Sequence, residues 1–196
     1  MPMTPSTMLE LGTKLPVFRL AGFDGVIVGS DEHETAPALL VAFICAHCPF
    51  VKHIRHELAC FATEYQTKGL AVVAINSNDI GLHPEDGPAG MRTEATEAGY
   101  TFPYLFDETQ QVARAFHAAC TPDFFLFDKS GRLAYRGQFD DSRPGKDTPV
   151  TGADLRSAAD DVLAGRPVAS TQRPSIGCNI KWKPGNAPEY FATAAR

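Results

Sequence analysis

The chain has few cysteines, no basic run and no long apolar stretch, and each shortage removes a class of function. Its five cysteines, Cys45, Cys48, Cys60, Cys120 and Cys178, are sparse for 196 residues and odd in number. A structural disulfide framework of the kind that holds small secreted domains is therefore not expected. Lysine and arginine total 18 against 23 acidic residues, a net charge of −5. Without a basic cluster, nucleic acid is not an expected partner. No segment approaches the ~18 consecutive apolar residues that mark a membrane span, so no membrane partner is expected either. The opening Met1-Pro2-Met3-Thr4-Pro5 lacks the basic and apolar regions of a secretory signal, and the expected location is the cytoplasm. No repeat is visible. What is present, 44% hydrophobic and 21% charged residues, suits one globular domain with appendages and a real core.

The periodicity predicts an α/β chain. Val17 to Leu20 and Val26 to Val28 flank Gly22-Phe23-Asp24-Gly25 and read as an N-terminal hairpin. Leu39 to Ile44 and Leu70 to Ile75 are continuous apolar runs, as in central strands covered on both faces. Between them Val51, Ile54, Leu58, Phe61 and Tyr65 recur at helical spacing, so the three segments form a βαβ unit with a parallel strand pair. Glu85-Asp86-Gly87-Pro88 opens a second helix and Gly99 closes it. Asp107 and Gln110 resemble a capping box for a short helix through Phe116. Phe124 to Asp128 and Arg132 to Arg136 form a late hairpin, which makes the sheet mixed. Thr151 and Asp154 are candidate caps for a last helix ending at Gly165-Arg166-Pro167. The domain is expected over residues 1–167, with residues 168–196 packing on it as a tail without periodicity of its own.

Cys45-Ala46-His47-Cys48-Pro49 follows the first central strand and precedes the first helix. Two cysteines separated by two residues at a helix start form a dithiol that can open and close. Unpaired N–H groups and the positive end of the helix dipole favour thiolate there. The expected roles are Cys45 as the exposed attacking thiolate, Cys48 as the resolving thiol and His47 as a positive charge that tunes them. In exchange, the first sulfur forms a mixed disulfide and the second cleaves it. Cys45, His47 and Cys48 also offer soft ligands for copper or zinc, but no second CxxC or His-x-x-x-His completes a four-ligand set. No metal and no cofactor are expected. His53 and His56 share a helix face with Cys60 and read as a solvated surface. Cys178 lies in the tail, and its spacing leaves open a distant thiol, a tether or a bystander.

Several pieces resemble, in order and spacing, the redoxin branch of the thioredoxin-like superfamily: the peroxiredoxin-like proteins of the alkyl hydroperoxide reductase/thiol-specific antioxidant group that carry a CxxC. They are Phe43 to Pro49, Val73-Ala74-Ile75-Asn76, Phe102-Pro103-Tyr104-Leu105-Phe106-Asp107, and Thr121-Pro122-Asp123 to Asp128 with its hairpin to Gly137. The similarity spans roughly residues 10 to 165. It implies a thioredoxin-like fold, a mixed central sheet flanked by helices with a hairpin extension. It also implies that Pro122 is a cis-proline beside the dithiol, that Thr121 presents backbone to substrate, and that Cys120 is a possible additional thiol nearby. The peroxide-attacking cysteine of the group corresponds to Cys48. This chain has Cys45 where that group has threonine or serine, Val41 where it has proline, and Ile44 where thioredoxins have tryptophan. No acid stands at the position of the thioredoxin proton-transfer carboxylate; Asp31, Glu32 and Glu34 are the sequence neighbours that offer one. The Cys-x-His-Cys form is similar to the oxidising members of the superfamily. The implied activity is thiol–disulfide exchange with a disulfide-bearing protein or small thiol and an electron donor. Thiol peroxidase, copper/zinc chaperone and redox-inactive adaptor are the alternatives.

Overall fold

In the computed structural model, residues 3–194 are described. Alternation of side chains across the sheet explains its architecture. Strand β4 (Ala38–Phe43) is buried at every position. Its even residues, Ala38, Leu40 and Ala42, enter one core cluster, and its odd residues, Leu39, Val41 and Phe43, enter another on the opposite face. On one side β4 pairs in parallel with β5 (Leu70–Asn76), and on the other antiparallel with β8 (Asp123–Asp128). The full seven-stranded sheet adds four strands: β2 (Arg19–Gly22), β3 (Ile27–Gly29), β6 (Tyr104–Phe106) and β9 (Leu133–Gly137). Their order is β3-β2-β6-β5-β4-β8-β9. The hairpins at both ends and the central βαβ unit follow the sequence pattern.

Helices α1 (Pro49–Gln66), α2 (Pro88–Ala98) and α4 (Ala153–Leu163) cover the even-residue face. The α1 stripe of Val51, Ile54, Leu58, Phe61 and Tyr65 is buried as its spacing requires. Gly99 ends α2 in the left-handed conformation, at φ 77°. The short α3 (Gln111–Ala115) covers the odd-residue face together with Phe116, Ile180 and Trp182.

Three sequence expectations are corrected here. The proposed box before α3 does not form: Gln110 is the N-cap, left-handed, and its amide donates to the carbonyls of Ser77 and Lys181. The Asp107 carboxylate instead accepts from the Ala113 N–H and the Ser77 hydroxyl. Gly152, not Thr151 or Asp154, is the N-cap of α4, and Asp154 accepts from the Gln138 amide. Third, the segment after residue 167 carries its own strand. β10 (Ile176–Asn179) sits between β1 (Met3–Pro5) and β7 (Cys120–Thr121) in a small antiparallel sheet. It is followed by α5 (Glu189–Ala194). No described helix is long and apolar enough to cross a membrane.

Candidate active site

The sequence places two cysteines at the end of a buried strand, and the structure fixes how they meet the rest of the chain. The backbone leaves β4 at Ile44, whose N–H donates to Ile75 O (3.0 Å) and whose carbonyl accepts from the Tyr104 hydroxyl (3.3 Å). Cys48 is then the N-cap of α1, with Pro49 in the first helical position, where its missing N–H costs nothing. The Lys52 N–H donates to the Cys48 carbonyl at 3.0 Å, the first bond of the helix.

Thr121 closes the site from the other side. Its hydroxyl is 3.4 Å from Cys45 Sγ, and its carbonyl accepts from the Cys48 thiol at 3.1 Å. The Thr121–Pro122 peptide is cis, as the resemblance implies. Both cysteines are fully buried, so the expectation of an exposed Cys45 is corrected.

The two thiols differ in their surroundings. The thiols of Cys178 and Cys45 lie in one buried cluster with Cys48. With the Thr121 hydroxyl and the Val51 N–H they outweigh burial and draw the Cys48 thiol well below its ordinary value. The Val51 N–H is one of the orphan donors of the helix start. Burial, the neighbouring Cys48 and the Asp86 carboxylate push Cys45 well above its ordinary value, against a smaller opposite effect from Thr121.

Asp86 is the residue that sequence reasoning missed. It is fully buried. Its carboxylate accepts from the His47 N–H (3.0 Å) and the Asn78 amide (2.8 Å), and lies 2.5 Å from His47 Nδ1. Burial raises this carboxyl, but the bonds from His47 and Asn78 prevail and hold it below the ordinary carboxylate range. An ionised carboxylate only accepts, so His47 Nδ1 carries the proton it faces. The imidazole stacks on His83, with centroids 4.1 Å apart, and Nδ1 is 3.6 Å from Cys45 Sγ. The His47 ring is thus tied to a buried carboxylate, and that carboxylate pushes the Cys45 thiol up. In sequence Asp86 looked like an ordinary acidic residue before a helix. The signal available was its place in an Asn76-Ser77-Asn78 and Asp86 set at the end of β5, the strand beside the motif.

The other expected positions separate. Asp31, Glu32 and Glu34 lie on an exposed turn, where Asp31 pairs with Arg19 at 2.8 Å; they do not reach the dithiol. Cys120 is fully buried, its Sγ 3.6 Å from the Pro122 carbonyl, and burial pushes its thiol well up. Cys60 is exposed, away from the site. His53 Nε2 meets the Ser142 hydroxyl at 3.1 Å. These two residues, with Phe50, Pro122 and Arg143, line a small cleft beside the cis-proline. For a metal, Cys45, His47 and Asp86 present one sulfur, one nitrogen and one oxygen within 4.8 Å of one another. The His47 nitrogen of that set is the one already bonded to Asp86.

Residues 10–155 match the Redoxin family model. The chain belongs to the Redoxin family. This redoxin is 53% identical to an uncharacterized conserved protein from Geobacillus kaustophilus, with a TM-score of 0.92 over 94% of this chain and 98% of the other. It is 54% identical to a hypothetical protein from Sinorhizobium meliloti 1021, with a TM-score of 0.91 over 93% and 100% of the two chains. The thioredoxin-like fold extends further. A thiol:disulfide interchange protein of the thioredoxin family from Chlorobium tepidum TLS superposes with a TM-score of 0.61 at 18% identity, over 79% of this redoxin and 98% of that chain. No curated protein matches the sequence.

Proposed function

We propose that this redoxin is a thiol–disulfide oxidoreductase whose working pair is Cys45 and Cys48, with Cys48 making the first attack. One observation carries the reading: Cys48 caps α1, Cys45 stands beside it against the Thr121 hydroxyl, and both sulfurs meet Thr121 at the cis-proline. The Cys48 thiolate attacks one sulfur of a substrate disulfide and expels the other half as a thiolate. Cys45 then attacks the Cys48 sulfur of the mixed disulfide, forming Cys45–Cys48 and releasing the second half. The departing thiolates take up the protons, and two electrons pass to the substrate. Both sulfurs are buried, so exchange requires the residues over them to open first. The partners on this reading are a disulfide-bearing protein or small thiol and a dithiol electron donor in a reducing compartment such as the cytoplasm.

Exchange with glutathione disulfide tests it. Cys48→Ser abolishes exchange, whereas Cys45→Ser takes the first step and slows release. Wild-type rates in Cys48→Ser protein would sink the proposal. The stabilised anion on Cys48, the position matching the peroxide-attacking cysteine, favours a second reading as a thiol peroxidase. That reading requires saturable peroxide consumption coupled to a thiol reductant, and rates no better than free cysteine exclude it.

A further inference from the structure

The C-terminal strand brings a third thiol into the site. Cys178 pairs directly with Thr121 across β10 and β7. Residues directly opposite each other in an antiparallel pair project to the same face. Thr121 is the residue whose hydroxyl touches Cys45 and whose carbonyl touches Cys48, so Cys178 faces the same two sulfurs. It is buried in one core cluster with both of them. Its nearness to Cys48 shows in their acidities, with the Cys48 thiol drawn down and the Cys178 thiol pushed up. Cys120, one residue before Thr121, projects to the other face by the same alternation, opposite Asn179.

The approach of β10 is set by a glycine. A Cβ on Gly177 would stand 2.0 Å from the Thr121 carbonyl oxygen and 2.7 Å from its carbon. Any larger residue there holds the strand away. β10 is held on its other edge by β1, with Thr4 opposite Gly177 and Met3 opposite Cys178. The chain thus lays one of its own strands along the backbone of Thr121, with a cysteine opposite the residue that contacts the dithiol.

We propose that Cys178 is a redox partner of Cys48, so that the site forms two alternative internal disulfides, Cys45–Cys48 and Cys48–Cys178. This inference rests on the exchange reading above and adds a second resolving thiol to it. After Cys48 has formed a mixed disulfide with a substrate, Cys178 gives its proton to the departing thiolate. Its sulfur then attacks the Cys48 sulfur, the Cys48–substrate bond breaks, and the substrate half leaves with the electron pair. The new bond is Cys48–Cys178; two thiols have been oxidised and one substrate disulfide reduced. The two internal disulfides interconvert by the same exchange, since Cys45 can attack Cys48 and release Cys178. Cys48 and burial push the Cys178 thiol up, and the part due to Cys48 ends once Cys48 is bonded to another sulfur. Cys178 therefore acts second.

The test uses the full chain and glutathione disulfide. Wild-type and Cys45→Ser proteins are oxidised, quenched in acid, alkylated, digested and mapped for disulfide-linked peptides. In Cys45→Ser protein the glutathione adduct on Cys48 gives way to a Cys48–Cys178 linkage. Wild-type protein, whose fold is not in question, contains both linkages during oxidation. A stable adduct on Cys48 with Cys178 fully alkylated in the variant, or Cys178 alkylated at every stage in the wild type, overturns the role of Cys178 and leaves the Cys45–Cys48 reading standing. Cys48 that never accepts glutathione in either protein removes both.

Discussion

At the scale of single residues, the buried carboxylates are what the sequence hid. Asp86 reads as a helix-start acid and is instead the anchor of His47 and of the end of β5. Asp123 reads as a strand residue after Pro122, yet it is fully buried. Burial pushes its carboxyl up from 3.8 to about 7, with only a partial opposite effect from Ser6, Ser175 and the N–H groups of Ala119 and Phe124. The consequence for stability has a definite sign. Between pH 3.8 and about 7 the native chain keeps this proton and the unfolded chain has lost it. Unfolding releases a proton there, so stability falls as pH rises, by up to ~1.4 kcal/mol per pH unit, and levels off above. Asp123→Asn removes that decline, and urea unfolding across the interval measures it. A variant with the wild-type slope would show that Asp123 is ionised throughout. No spacing rule flags Asp86 or Asp123, because their burial comes from segments distant in sequence. The two cysteines were legible because their chemistry depends on a local strand–helix junction. Their surroundings were not, since Thr121 and Cys178 come from segments distant in sequence.

At the scale of elements, the legible parts are those whose signal is local. The α1 stripe, the apolar runs of β4 and β5 and both hairpins carry their own periodicity. The caps of α3 and α4 were misread because Gln110 and Asp154 are drawn to other partners, Lys181 and Gln138. β10 was not legible at all. Its four residues have no alternation that stands out, and its neighbours are distant in sequence, β1 at residues 3–5 and β7 at 120–121. Its position depends on Gly177, which gives a direct prediction. Gly177→Ala forces β10 from Thr121 and withdraws the Cys178 thiol from Cys48. The titration of the Cys48 thiolate, followed by its ultraviolet absorbance or by alkylation rate against pH, then moves upward. An unchanged titration would mean that β10 contributes nothing to the charge on Cys48. The same variant loses the Cys48–Cys178 linkage and keeps Cys45–Cys48.

At the scale of the whole molecule, the sheet and its helices bring the ends of β4, β7 and β10 and the start of α1 to one place. The redoxin frame spans residues 10–155, while β1 and β10 lie outside it, β10 beside Thr121 and β1 on its other edge. The central claim is that this frame serves a dithiol with a stabilised Cys48 anion. A thiolate held in this way stabilises the reduced state and makes the pair more oxidising. The deciding measurement is the redox state of Cys45 and Cys48 across a series of glutathione buffers, read by alkylation and mass spectrometry. The account predicts a single two-electron transition at a potential above that of thioredoxin, ~−270 mV, and within the range that glutathione buffers span. A pair that stays reduced in every buffer, or one that titrates at or below the thioredoxin value, would contradict it.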